Sequence, residues 1–243
     1  MPDTATLQRD AVANDLLRGL DQHDFERLAD AARPVRLPRG HVLYEAEATI
    51  DTVWFPETGL ISIISTMISG AMIETSVLGR EGGLGFIEAA GGGIIFSRAI
   101  VQIPGIFVAV PAKAYRAAFD ASPAFRTVIA NHIELLIAES RQAMACIGLH
   151  KVEQRLAWWL LEAQDRAGGM TELPLTQEFL SVMLGVRRPS VTLVALELQE
   201  EGLIQYTRGN ITVLDRAGLE RRSCECYATA RRFRRIIEAG ADS

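Results

Sequence analysis

The stretch from Leu175 to Ile204 reads Leu-Thr-Gln-Glu-Phe-Leu-Ser-Val-Met-Leu-Gly-Val-Arg-Arg-Pro-Ser-Val-Thr-Leu-Val-Ala-Leu-Glu-Leu-Gln-Glu-Glu-Gly-Leu-Ile. Thr176 can cap a short helix whose apolar face is Phe179, Leu180 and Met183. Gly185 permits the left-handed turn that ends it. Arg187 and Arg188 follow, and Pro189 stands where a first helical residue belongs. A second helix is expected to run to Glu201, burying Val191, Val194, Ala195 and Leu198, with Gly202 as its stop. Two helices joined by a few residues around a glycine form a helix-turn-helix.

The second helix is polarised. Arg187, Arg188, Ser190 and Thr192 lie at its start, and Glu197, Glu200 and Glu201 at its end. In a helix-turn-helix the N-terminal residues of the second helix meet base edges in the major groove, where an acid would repel phosphate. The free amides and dipole of the same terminus favour phosphate. Next, Ile204–Thr207 and Ile211–Leu214 flank Arg208-Gly209-Asn210, a β hairpin or wing with Arg208 at its tip. The whole chain carries a formal charge of −5. Residues 175–243 hold ten Arg against nine acids, so the deficit lies upstream of the motif.

Working outward, Val152 to about Arg166 has the spacing of an amphipathic helix, closed by Gly168-Gly169. Before it, Ser122-Pro123 can open a long helix carrying Ile129, Ile133, Leu136, Ser140, Ala143 and Ile147 at spacings of four and three. That seam predicts a homodimer contact through a central helix over 122–148. Between Pro34 and Pro111, short runs such as Val42–Tyr44, Thr52–Phe55, Leu60–Ile64 and Ile100–Ile103 alternate with Gly and Pro, as in an antiparallel β roll. Residues 12–32 have a helical apolar spacing. The fold class expected is α+β: a jelly-roll-like sensor domain over 1–121, the dimerisation helix, and a winged helix-turn-helix over 149–243 with a helical tail.

The segment Leu175–Leu214 resembles the winged helix-turn-helix of the Crp/Fnr family of bacterial transcription regulators. The resemblance extends upstream through Pro38-Arg39-Gly40-His41-Val42-Leu43-Tyr44, the Gly79-Arg80-Glu81-Gly82 turn and the long helix. It implies a homodimer on palindromic double-stranded DNA, in contact with RNA polymerase and with a cyclic-nucleotide-binding-type roll. The family's base-reading positions fall on Arg188, Pro189, Ser190 and Leu193, of which Arg188 and Ser190 keep hydrogen-bonding side chains. The residues expected at DNA are Thr176, Arg187, Arg188, Ser190, Thr192 and Arg208.

The resemblance puts the phosphate-binding cassette of the roll at Gly79–Gly85 and Gly91–Ala99. The Glu that holds a ribose hydroxyl corresponds to Gly83, and the Arg that pairs a cyclic phosphate to Ser97. A buried phosphate without its cation is strongly disfavoured, so cyclic AMP by the usual contacts is not expected. Three readings stay open: Arg98 reaches an anion if a bulge re-aims it; an unidentified small effector enters near Gly82, Gly83, Ser97, Arg98, Ser140 and Arg141; or the roll's own side chains close the pocket.

No cofactor or metal is expected. Cys224 and Cys226 offer two of the four ligands a structural zinc takes, with no Cys or His near them in sequence, and His23, His41, His132 and His150 are isolated. The glycine-rich loops lack Gly-Lys-Ser/Thr, and neither Gly-x-Ser-x-Gly nor His-Glu-x-x-His occurs, so no enzyme is expected. A non-DNA interaction protein reusing a winged domain is the remaining alternative, disfavoured by Arg187-Arg188. The basic tail reads as an extra helix that flanks DNA or is solvated. Met1–Asp10 lacks the apolar core of a secretory signal, and no run approaches a membrane span, so a soluble cytoplasmic protein with no membrane partner is expected.

Overall fold

The computed structural model describes residues 7–207 and 209–241. A 3-10 turn, Arg9–Ala11, precedes α1 (Asp15–Arg18), α2 (Gln22–Ala29), β1 (Arg33–Leu37), β2 (Val42–Tyr44), β3 (Thr52–Pro56), β4 (Leu60–Thr66) and β5 (Met72–Leu78). Then come α3 (Phe86–Ala90), β6 (Arg98–Ile103), β7 (Gly105–Pro111), α4 (Ala112–Ala121), α5 (Pro123–Leu149) and α6 (Val152–Arg166). The chain continues with β8 (Glu172–Leu173), α7 (Gln177–Leu184), α8 (Arg188–Glu200), β9 (Ile204–Thr207), β10 (Asn210–Val213), α9 (Arg216–Arg222) and α10 (Cys226–Ala241). The class is the expected α+β, with antiparallel sheets first and the helix-turn-helix last. None of the described helices is singly long and apolar enough to cross a membrane.

Two units emerge: residues up to Ile63 with Val77–Glu134, and Ile64–Ser76 with the residues from Leu135 onward. The division falls inside α5, and the tip of the β4–β5 hairpin groups with the C-terminal helices.

In the N-terminal unit β7 lies between β1 and β3, pairing Val35 with Phe107 and Phe55 with Val108. A four-stranded sheet runs β2-β6-β4-β5. Alternate residues, Val53 and Phe55 on β3 and Ala99, Val101 and Ile103 on β6, are buried, as a period of two requires when one face meets a core. Gly105 is forced by close approach, since a Cβ there would overlap the carbonyl of Thr58. The single helical period read over 12–32 is in fact two short helices, and β1 follows at Arg33. Asn14 and Asp21 cause the break, because each accepts a backbone N–H (Leu17 at 3.0 Å, Asp24 at 2.8 Å) and so begins its own helix. Buried Asn14 also donates to the carbonyls of Pro56 (2.9 Å) and Gly82 (2.8 Å), tying the N-terminal segment to the glycine turn.

Helix α5 has 27 residues, about 40 Å at 1.5 Å per residue. Ser122 caps it as expected: its Oγ accepts from Phe125 N at 3.1 Å and donates to Asp24 at 2.6 Å. In the C-terminal unit, Trp159 Nε1 donates to Glu74 Oε1 at 2.6 Å, joining α6 to the β4–β5 tip. Four charges form a buried group: Arg166 meets Glu162 and Glu139, both at 2.9 Å, and Arg234 meets Glu139 at 2.8 Å and also Glu162. The tail is therefore not a freely solvated basic helix. Arg234 is consumed in this group, Arg216 bonds Asp165 at 2.8 Å, and Arg222 lies 3.1 Å from Glu201.

Candidate nucleic-acid interface

Helix α7 begins at Thr176, whose hydroxyl accepts from Phe179 N at 3.2 Å. It ends at Gly185, which is left-handed (φ +63°) and returns its N–H to the last carbonyls of the helix. The chain then bends by 103° into α8, within the range of a DNA-binding helix-turn-helix. Val191, Val194, Ala195 and Leu198 are buried, as their spacing requires. Helix α8 opens one residue earlier than the sequence suggests: Arg188 is its first residue and Pro189 its second, with Arg187 at the cap. Proline is tolerated there because the first-turn amides have no intrahelical acceptor.

The outer face of α8 carries Arg188 and Pro189, with Leu193 (63% exposed) one turn on and Leu196 (48%) beyond. No acid occupies its first turn, and Glu197 and Glu200 are exposed at the other end. Arg187 is exposed, and Ser190 and Thr192 are half-buried. Thr192 Oγ donates to the Arg188 carbonyl at 3.2 Å, and Thr176 Oγ is occupied by its cap, so neither hydroxyl is idle. A partner not foreseen is Glu178 on α7, 2.9 Å from the Arg188 guanidinium, with both side chains mostly in solvent. The helical wheel of α7 alone holds no signal for this pair, because the contact crosses the turn.

The hairpin forms as expected, β9 against β10 with Ile211 opposite Tyr206, and β8 adds a third strand. Gln199 at the end of α8 accepts from Tyr206 N at 2.9 Å, fastening wing to helix. Arg208, the expected tip residue, lies outside the described residues. Its neighbour Gly209 has φ +90°, the left-handed geometry of a tight hairpin.

The residues expected at an effector pocket are divided between the two units, and those of the N-terminal unit have close neighbours. A Cβ on Gly82 would meet His132 Nε2 at 2.7 Å, and one on Gly83 would meet Phe55 at 3.0 Å, so the glycine turn lies flat on packed rings. His132 is also 5.4 Å, centroid to centroid, from Phe86. Arg98 lies 3.2 Å from Glu45, which supplies its counter-charge; the strand irregularity is on β2, between Val42 and Tyr44. Ser97 is half-buried, while Ser140 and Arg141 are exposed on the part of α5 belonging to the C-terminal unit.

Of the seam residues, Ile129 is buried within its own chain and is closed to a partner. Ile133, Leu136 and Ala143 are half-buried, and Ser140 and Ile147 exposed. The apolar side chains open along α5 include Ile137 (46%), Met144 (72%), Ile147 (45%) and Leu149 (81%), of which Ile147 alone is among the seam positions read in sequence. Leu135 and Cys146, on the opposite side of the helix, are buried.

One grouping was not legible from sequence spacing. Cys224 and Cys226 meet Cys146 and His150, and the four ligand atoms lie within 4.8 Å of one another. The reading that no Cys or His joins the pair is corrected: the partners come from the end of α5. The available signal was the i, i+4 spacing of Cys146 and His150, which puts both on one helix face.

A Crp-like helix-turn-helix domain profile matches residues 154–222. The transcriptional regulatory protein btr of Bordetella pertussis is 24% identical over 215 residues, covering 83% of this chain and 86% of that protein. Among solved structures, a CRP/FNR-family transcriptional regulator from Thermus thermophilus superposes with a TM-score of 0.63 at 22% identity, over 81% of this chain and 98% of the other. FixK2 from Bradyrhizobium japonicum superposes at 0.66 with 17% identity, over 79% and 98%. Residues 154–222 thus match a Crp-like helix-turn-helix domain, and the chain shares its fold with solved regulators of the CRP/FNR family.

Proposed function

We propose that two copies of the chain bind a palindromic operator, each inserting the start of α8 into the major groove. The observation that carries this reading is the exposed start of α8, which has Arg187 and Arg188 and no acid in its first turn. Arg188 reads a guanine through its two-pronged guanidinium, and Leu193 offers an apolar contact to a thymine methyl. Arg187, Arg208 and the wing amides hold phosphates, with Ser190 and Thr192 close to the same backbone. The open stripe Ile137–Met144–Ile147 on α5 supports pairing of the two chains. Contact with RNA polymerase and a cytoplasmic location belong to the same reading, by resemblance to Crp/Fnr regulators.

The test is fluorescence anisotropy on a selected operator across a salt series. Arg188→Ala is expected to cost about 1–3 kcal/mol and relax one base position. Arg187→Ala should weaken all sequences alike and reduce the salt slope by about one. Equal base preferences for Arg188→Ala and the parent chain would refute the assignment.

Small-molecule gating of the roll is the reading with less support. An effector-independent regulator with a structural roll is favoured by the packing of Gly82 and Gly83 on His132 and Phe55 and by the Arg98–Glu45 pair. Calorimetric titration with cyclic AMP and cyclic GMP should then release no binding heat; micromolar binding lost in Arg98→Ala would reverse the choice.

A further inference from the structure

The cluster at the end of α5 is built as a metal site and not only as packed thiols. Cys146 lies in the last turn of α5 and His150 directly follows the helix, its N–H donating to the Cys146 carbonyl at 3.0 Å; Cys224 and Cys226 bracket the start of α10. All three cysteines are buried, and all are free. Cys146 Sγ is 3.5 Å from Cys224 Sγ, and Cys226 Sγ is 3.5 Å from His150 Nδ1. Around a tetrahedral zinc with Zn–S about 2.3 Å and Zn–N about 2.0–2.1 Å, ligand atoms stand roughly 3.5–3.8 Å apart. Both separations, 3.5 Å, fall at that spacing. Four atoms this close surround a single ion; a polynuclear iron–sulfur cluster needs its ligands farther apart.

The outer groups fit as well. His150 Nε2 lies 3.1 Å from Glu225 Oε2, so the carboxylate fixes the ring with Nδ1 turned to the thiols. This is the carboxylate–histidine arrangement common behind metal-bound imidazoles. Gln142 Nε2 donates to Cys226 Sγ at 3.1 Å, a bond that favours the thiolate. Trp158 packs against the three cysteines, which closes the group to bulk water. Three thiols packed merely as small apolar side chains would need neither the imidazole nor the carboxylate behind it.

We infer that Cys146, His150, Cys224 and Cys226 bind one Zn²⁺, tying α10 to the end of α5. Four protein ligands leave no open position, so the ion is structural. Loading releases the remaining thiol protons and is favoured as pH rises. Thiolate-rich donor sets select zinc over the hard divalent cations.

The test uses the full chain purified under reducing conditions without chelator. Metal analysis is expected to find one zinc per chain. The demetallated protein should take up one equivalent of Co²⁺ and develop the intense visible bands of a tetrahedral thiolate complex. Cys226→Ser should lose those bands. Glu225→Gln, at a surface carboxylate whose loss leaves the core intact, should weaken zinc binding about 10–100-fold. Circular dichroism of each variant separates ligand loss from unfolding. A folded parent chain that takes up neither Zn²⁺ nor Co²⁺ stoichiometrically overturns the inference, as does a Cys146–Cys224 disulfide in protein isolated under reducing conditions. Glu225→Gln with unchanged affinity overturns the role given to that carboxylate.

Discussion

Replacing Glu162 by Gln tests how the C-terminal unit is held together. The Glu162 side chain is 4% exposed and accepts from both Arg166, at 2.9 Å, and Arg234. With Glu139 it balances two buried guanidiniums. Burial pushes the Glu162 carboxyl up, but the Arg166 and Arg234 charges override it and hold the group below its ordinary range. Glu162→Gln keeps the shape and removes the charge, leaving two buried cations facing one fewer carboxylate. Breaking a buried ion pair on one side costs about 3–5 kcal/mol. For a chain of this size that lowers the melting temperature on the order of 10 °C. The sign with pH follows from the depressed folded-state value. The carboxylate contributes its full stability above the unfolded-state carboxylate range, and that contribution is lost as pH falls through the folded value. Urea unfolding at neutral and acidic pH reads both effects: the variant should be less stable at neutral pH, and its stability should fall less steeply in acid than that of the parent. Glu26→Gln, at an exposed carboxylate bonded to Gln22, serves as control and should change stability by under about 0.5 kcal/mol. A Glu162→Gln loss below about 1 kcal/mol, with the acid slope unchanged, would refute the argument that the four charges act as a unit.

Other substitutions probe the interface and the roll. Gly185→Val puts a β-branched residue at φ +63° and should cost roughly 1–3 kcal/mol of stability, read by thermal melting. Glu178→Gln removes the carboxylate 2.9 Å from Arg188 and should tighten binding to random duplex at low salt; unchanged affinity would mean that the pair does not compete with DNA. Gly83→Glu puts a carboxylate where the Crp/Fnr resemblance expects one and where an added Cβ would meet Phe55 at 3.0 Å, so it should lower stability without creating cyclic AMP binding in calorimetry.

The helix-turn-helix was legible because local rules agree along it. The Thr176 cap, the Gly185 turn, Pro189 in a first turn and the tight turn of the wing each act within a few residues. The strands of the roll were legible where runs alternated, as at Val42–Tyr44 and Thr52–Pro56. What escaped was set by distant residues. Asn14 and Asp21 split an apparently continuous helical period because their caps outweigh it. The open stripe on α5 depends on which face the rest of the chain covers, and periodicity alone cannot assign that. The Arg188–Glu178 pair, the Arg234 group and the Cys–His cluster join residues from separate elements, so no spacing rule reports them.

The central claim is that paired chains read DNA through the first turn of α8. Selection from randomised duplexes by the purified protein tests it most directly, with the mass of the complex measured by sedimentation. The account predicts two protein chains per duplex and an enriched inverted repeat. Its half-sites should lie about 10 base pairs apart, one helical turn, and one position in each should lose its preference in Arg188→Ala. A monomer that enriches no sequence at low salt would contradict it.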